Sequence, residues 1–227
     1  KVLVDANGSI KDRIPLYARR VERDENKDFA AIMQNPRSKF KWTDADFKAN
    51  SKDLLIYEAH IGMAGEEEKV STYKEFEENI LPRIKEDGYN TVQLMAIAEH
   101  PYYGSFGYQV SNFYAPSSWY GEINDLKSLI NTAHNLGLNV IMDLVHSHAI
   151  KNTIEGINEF DGTDYQFFHS GDYGNHPDWD SKLFNYEKPE VLHFLLSNVK
   201  YWLEEFHFDG FRFDGVTSMI YKNHGRG

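Results

Sequence analysis

The chain has 227 residues, 41% hydrophobic and 26% charged, the composition of a globular protein with room for one large domain, or for one domain and part of another. Its 35 acidic residues against 24 basic ones give a net charge of -11, which argues against a phosphate backbone or an anionic membrane surface as partner and is compatible with a neutral substrate. There is no cysteine, so disulfides, thiolate metal sites and a cysteine nucleophile are excluded, and no apolar run approaches the roughly 18 residues of a membrane span.

Residues 1–50 read as the end of a small β domain and a linker. Val2, Leu3 and Val4 form one strand-like run and residues 10–17 a second, with Asn7-Gly8 between them. That dipeptide suits a tight hairpin, because both turn residues take positive φ. Residues 29–33 are a further short apolar run, and residues 36–52 are polar and interrupted. From residue 53 strands alternate with helices. Residues 54–57 read as a buried strand. Thr72-x-x-Glu75 is a capping-box pattern, and Tyr73, Phe76, Ile80, Leu81 and Ile84 fall on one face of the helix that it opens, with Gly88 at its end. Residues 92–97 form a second strand. Residues 123–136 form a second helix, with Leu126, Leu129, Ile130 and Ala133 on one side, and residues 138–145 a third strand. Pro189 starts a long helix, since proline is tolerated at the first helical position, and its expected buried stripe is Leu192, Leu195, Leu196, Val199, Trp202, Leu203 and Phe206. Residues 210–214 form a fourth strand.

Four strand-helix steps in a row argue for an α/β fold with a parallel sheet covered by helices. A barrel and a doubly wound sheet both fit, but no glycine-rich nucleotide fingerprint follows any strand, which weakens the second. Residues 149–188 are the exception: a long polar connection rich in Gly, Asp, Asn, His and aromatics, of a length that is usually functional.

Chemistry-bearing residues gather where strands end. The third strand ends in Asp143-Leu144-Val145-His146-Ser147-His148 and the fourth in Phe211-Arg212-Phe213-Asp214-Gly215. In parallel α/β folds, ligands bind outside the carboxyl ends of the strands. Arg212 and Asp214 are two apart, so a strand turns both to one side. A cation beside a carboxylate keeps it ionised, as a nucleophile requires. A lone Asp at a strand end is more often a cap or turn residue; two of them with Arg212 and His148 make a site the better reading. His146-x-His148 has the spacing of a metal pair, but no third ligand is evident, and the expectation is no metal. After the second strand comes an aromatic run, His100 to Gln109, with Phe113, Tyr114, Trp119 and Tyr120 close behind. Most of these rings suit a loop packed by its own aromatics. Tyr108, set among small residues, is the one expected to face a ligand, where a flat ring suits the C–H face of a sugar.

These residues carry a resemblance. The stretch from Asp143 to His148 looks like the first conserved region of the α-amylase superfamily (glycoside hydrolase family thirteen), and Gly210-Phe211-Arg212-Phe213-Asp214 looks like its second. Within it the chain most resembles the 1,4-α-glucan branching family, on Tyr57-Glu58-Ala59-His60-Ile61-Gly62, on Gln93 to Ile97 through Phe106-Gly107-Tyr108-Gln109, and on Asp209 through Gly215-Val216-Thr217-Ser218-Met219. The resemblance implies that residues 51–227 are the first half of a catalytic (β/α)8 TIM barrel and residues 1–50 the end of an N-terminal β-sandwich carbohydrate-binding module. It implies Asp214 as the catalytic nucleophile, Arg212 as the residue that holds it ionised, Asp143 and His148 as sugar contacts, and Tyr108 as the ring stacked on the sugar at the cleavage site. The implied reaction is retaining transfer of an α-1,4-glucan segment (amylose, glycogen) to a glucose 6-hydroxyl, with no cofactor.

The family's acid/base Glu lies on a later strand, and every Glu here precedes Asp214. The chain begins at Lys1 rather than Met and stops in the polar stretch Asn223-His224-Gly225-Arg226-Gly227, so a piece of a longer protein is expected, inactive and poorly soluble alone. An amylase-like hydrolase of the same superfamily and a non-catalytic glucan-binding protein are the alternatives. The absent cysteines and the resemblance point to the cytoplasm.

Overall fold

The computed structural model describes residues 1–24, 28–33, 39–50 and 52–225. Asn7 and Gly8 take φ of 53° and 86°, and they fold β1 (Val2–Ala6) back on β2 (Ser9–Arg13) as the expected antiparallel hairpin. The second strand stops at Arg13, before Pro15, which has no N–H for the ladder. β3 (Val21–Arg23) and β4 (Phe29–Ala31) form another antiparallel pair over a small core of Ile14, Ala18, Val21, Phe29 and Ala115. Buried Arg13 ties this region to the long connection: its guanidinium donates to the carbonyls of Gly156, Asn158 and Glu159, and it lies over the Phe160 ring.

Of the expected linker at residues 36–52, residues 36–38 and 51 lie outside the described residues. Residues 39–50 hold no helix or strand, yet they are not a loose tether. Trp42 stacks on His207 and Phe47 on His134. Asp44 Oδ2 lies 2.9 Å from His134 Nδ1 and 2.8 Å from His207 Nδ1, and the other His134 nitrogen meets Asp209 Oδ2 at 3.1 Å. Burial disfavours a charged His134, but the flanking Asp209 and Asp44 outweigh it and raise its pKa. The segment is strapped across the ends at which the central strands begin, since Asp209 also accepts from Val140 N and Asn50 pairs with Asn139.

The fold is α/β. A four-stranded parallel sheet runs β5 (Ile56–Ala59), β6 (Thr91–Leu94), β9 (Asn139–Leu144), β13 (Gly210–Phe213), neighbours in chain order with no reversal. Strand pairing begins two residues later than the apolar run at 54–57 implied, and Leu54 and Leu55 are exposed. Between β5 and β6 the capping box on Thr72 and Glu75 starts α1 (Tyr73–Asn79) as expected, but the single helix breaks at Ile80 and continues as α2 (Leu81–Glu86). Pro82 explains the break, because it can neither donate backward nor fit against the preceding turn. The predicted face holds nonetheless, with Tyr73, Phe76, Leu81 and Ile84 buried.

A short pair, β7 (Ala98–Glu99) with β8 (Asn112–Pro116), brackets the aromatic loop. α3 (Ile123–Asn135) buries Leu126, Leu129, Ile130 and Ala133 completely, as its periodicity requires. The long connection carries its own three-stranded sheet, in which β12 (Ser181–Leu183) lies between β10 (His148–Ile150) and β11 (Asn175–His176). α4 (Pro189–Phe206) starts at its proline, but its buried face is Val191, Phe194, Leu195, Asn198, Trp202 and Phe206. Leu192, Leu196 and Leu203 of the expected stripe are exposed instead. The helix is apolar on two sides, and apolar periodicity does not reveal that a polar Asn198 belongs to the buried one. α5 (Val216–Ile220) follows β13.

Candidate active site

Alternation along the strands turns one residue of each toward the same side of the sheet, away from the helices. Glu58 on β5 is paired in register with Gln93 on β6, and Asp143 on β9 with Arg212 on β13. Their side chains form one polar row across all four strands. Gln93 Nε2 donates to Glu58 Oε1 at 2.8 Å and to Asp143 Oδ1 at 2.9 Å. Arg212 Nη1 donates to Asp143 Oδ2 and to Asp214 Oδ1, each at 2.9 Å. Asp214 is the first residue beyond β13, and its N–H still bonds Leu144 O at 3.0 Å. Asp143 is fully buried, while Asp214 keeps a partly open carboxylate.

Electrostatics divides these groups. Burial pushes the Asp143 carboxyl up, opposed by the Tyr108 hydroxyl and the Arg212 cation. The two carboxylates in turn hold Arg212 above its ordinary range against its own desolvation. One cation thus serves two carboxylates, a closed one and an open one.

The loop after β7 delivers Tyr108. Its Oη donates to Asp143 Oδ2 at 2.6 Å, and burial together with that bond raises its pKa. The approach is made by Phe106 and Gly107, with φ of 54° and 92°, and a β-carbon on Gly107 would lie 1.8 Å from Ala96 O. Only glycine allows the loop to come this close. His148 lies beneath the same loop: its Nε2 donates to Tyr108 O at 2.7 Å and its Nδ1 accepts from Ser147 Oγ at 2.9 Å. Burial lowers the His148 pKa, which keeps the ring neutral. His146 takes another course. It is buried, its pKa falls to about 4, and its Nε2 donates to Asn198 Oδ1 at 2.9 Å. Asn198 also bonds Phe113 O at 2.7 Å, so His146 serves the packing of α4.

The five residues singled out by sequence, Tyr108, Asp143, His148, Arg212 and Asp214, therefore form one connected network. Sequence reasoning gave no role in the site to Glu58, Gln93, Gln109 or Trp179, although the first three lie in the stretches that carry the resemblance. Gln109 Nε2 donates to Trp179 O at 2.6 Å and fixes that residue beside the cluster. The signal for Glu58 and Gln93 was a polar residue inside an otherwise apolar strand. Of the remaining aromatics, Phe113, Tyr114 and Tyr120 are buried, as expected for a self-packed loop, while Tyr102 is exposed.

No helix of the described residues is long and apolar enough to cross a membrane. Residues 79–183 match the family described as Alpha amylase, catalytic domain. A 1,4-alpha-glucan-branching enzyme of Yarrowia lipolytica is 55% identical over 99% of this chain and 33% of that protein. The chloroplastic/amyloplastic 1,4-alpha-glucan-branching enzyme 2-2 of Arabidopsis thaliana is 54% identical over 99% of this chain and 28% of that protein, and the branching enzyme of Felis catus 51% identical over 100% and 32%. The chain thus spans about one third of the length of the curated relatives it matches. Among solved structures, a candidate alpha amylase from Salmonella typhimurium aligns with a TM-score of 0.75 over 92% of this chain and 33% of that one, at 26% identity. Along nearly all of its length the chain is similar to the 1,4-alpha-glucan-branching enzymes, and over residues 79–183 to the Alpha-amylase catalytic domain.

Proposed function

We propose that the chain is the first half of the catalytic (β/α)8 barrel of a 1,4-α-glucan branching enzyme. Residues 1–50 are read as the end of a β-sandwich carbohydrate-binding module, and residues 51–227 as the half-barrel with its long connection at 149–188. The strand order supports a barrel: four parallel strands lie side by side in chain order, without the reversal that marks a doubly wound sheet. Both edge strands carry exposed apolar side chains, Ile56 and Phe213, which suits a sheet that continues.

The observation that carries the reading is the Arg212 bridge between a buried Asp143 and an accessible Asp214 at the carboxyl ends of adjacent strands. Asp214 attacks the anomeric carbon of an α-1,4-linked glucose and displaces the O4 of the next residue, which takes a proton. A glucose 6-hydroxyl then attacks the same carbon, loses its proton, releases Asp214 and leaves an α-1,6 branch. Arg212 keeps Asp214 ionised, Asp143 and His148 hold the sugar, and the Tyr108 ring lies against it. The proton-moving carboxyl belongs about 5–5.5 Å from the nucleophile. The chain spans about one third of its curated relatives, so we assign this carboxyl to a later strand of a polypeptide of their length, without which the 227 residues are inactive and poorly soluble. No cofactor is needed, and a cytoplasmic setting fits the lack of cysteine.

The structural likeness to a candidate alpha amylase favours one second reading, hydrolysis, in which water replaces the 6-hydroxyl. A trapping experiment tests the shared first step. The full-length polypeptide is mixed with a fluorinated α-glucosyl fluoride, digested and analysed by mass spectrometry. A glycosyl adduct on the peptide holding Asp214 is expected, and an adduct on any other residue contradicts the assignment.

A further inference from the structure

The connection at residues 149–188 brings one aromatic residue to the cluster that the proposed reaction does not yet use. His176, Pro177, Asp178 and Trp179 form a tight turn, with Trp179 N bonded to His176 O at 3.3 Å. Proline at the second position stiffens it. The turn joins β11 to β12, and β12 is paired with β10, which opens with His148. Trp179 is thus mounted on the same small sheet as a residue of the site.

Its surroundings fix the ring. The indole stacks on the His176 imidazole with centroids 3.8 Å apart and planes within 4°, so one face is backed by a flat partner. The His148 ring lies 5.0 Å away at 46°. A β-carbon built on Gly215, the residue after Asp214, would sit 3.2 Å from Trp179 Cη2. Gln109, the neighbour of Tyr108, holds the Trp179 carbonyl. Despite these contacts the residue remains 36% exposed. An indole backed on one side, fixed by its backbone and still open beside a carboxylate is a surface for the apolar C–H face of a pyranose.

We propose that Trp179 is a substrate-contact residue, a stacking platform for the glucose unit next to the one held over Asp214. The inference rests on the reading of Asp214 as the glucan-attacking residue. Tyr108 and Trp179 then make two separate aromatic contacts on successive sugars. Gly215 has φ +64°, and a β-carbon there would meet Ser147 Oγ at 2.5 Å before it pressed on the indole at 3.2 Å.

The test uses the full-length polypeptide carrying Asp214→Asn, so that glucan is bound and not consumed. Maltose and maltohexaose are titrated by calorimetry against this background and against W179F and W179A in the same background, with thermal melts of each. Loss of the indole is expected to weaken maltohexaose on the order of tenfold or more, as removal of a central aromatic anchor does. Maltose is expected to weaken less, W179F to recover most of the affinity, and the melts to coincide. If W179A melts early, the near-ultraviolet difference spectrum decides: saturating maltohexaose should perturb an indole band in the parent that is absent in W179F. Equal maltohexaose affinity in parent and W179A, or identical difference spectra for parent and W179F, overturns the role of Trp179 and leaves the glucan reading intact. Failure of the parent to bind maltohexaose at all overturns both.

Discussion

Replacing Gly107 by alanine tests whether the Tyr108 loop is as tightly seated as its geometry indicates. At φ +92° an L-residue pays a backbone strain of roughly 1–2 kcal/mol. The new β-carbon would also stand 1.8 Å from the Ala96 carbonyl oxygen and 2.7 Å from its carbon, both backbone atoms that cannot swing aside. Loop and strand end must separate by about 1 Å or more, a misplacement able to cost on the order of 10²-fold in rate. The overpacking adds roughly 1–3 kcal/mol, for a total loss of roughly 2–5 kcal/mol. Gly8→Ala is the matched control, because Gly8 also has positive φ, +86°, yet a β-carbon there meets nothing within 4 Å. It carries the strain without the collision. Both variants are made in the full-length polypeptide and compared by urea unfolding and by turnover of amylose. Gly107→Ala is expected to lose more stability than Gly8→Ala and to lose turnover as well, because the 2.6 Å bond from Tyr108 to Asp143 does not survive such a shift. Equal stability losses with parental turnover in both would refute the reasoning.

Three further outcomes follow from the same contacts. Tyr108→Phe keeps the ring and removes the hydrogen bond to Asp143, so kcat on glucan should fall roughly 10- to 100-fold, the equivalent of one bond to a charged group, with a smaller change in KM. Asn198→Leu strands His146 Nε2 and Phe113 O in the core, and a loss of roughly 2–4 kcal/mol is expected in urea unfolding; a loss below about 1 kcal/mol would mean that α4 packs without this bridge. His134→Gln removes a cation between Asp44 and Asp209. The folded His134 pKa lies above the ordinary 6.5, so its contribution is full below 6.5 and is lost as pH rises through the raised value. The folded Asp44 pKa lies below 3.8, so its share is present above 3.8 and is lost as pH falls through the lowered value. The melting deficit of the variant should therefore be greatest between these limits and shrink on the alkaline side; a deficit that grows with alkaline pH contradicts the ion pairing.

The elements most legible in the sequence were those with a local cause. Asn7-Gly8 announces its hairpin, Thr72 and Glu75 their cap, and α3 its core face, because turn chemistry and a 3.6-residue period are written in neighbouring residues. The buried side of α4 was not legible, since Leu192, Leu196 and Leu203 are as apolar as Val191 and Phe194, and only tertiary contact with His146 and Phe113 chooses between them. β10, β11 and β12 were hidden because two or three residues carry no period. At the site, the strand-end motifs gave Asp143, His148, Arg212 and Asp214. Glu58 and Gln93 come from distant strands and join the row only through sheet register. Trp179 reaches Gly215 only because the long connection folds back through β12.

The most direct test of the central claim is a branching assay on the full-length polypeptide. Amylose is incubated with the parent and with Asp214→Asn, the products are debranched enzymatically, and the chain lengths released are measured. The account predicts new short chains from the parent, freed only on debranching, and none from the Asp214→Asn variant. Shortened amylose without branches, or branching that survives the loss of the Asp214 carboxylate, would contradict it.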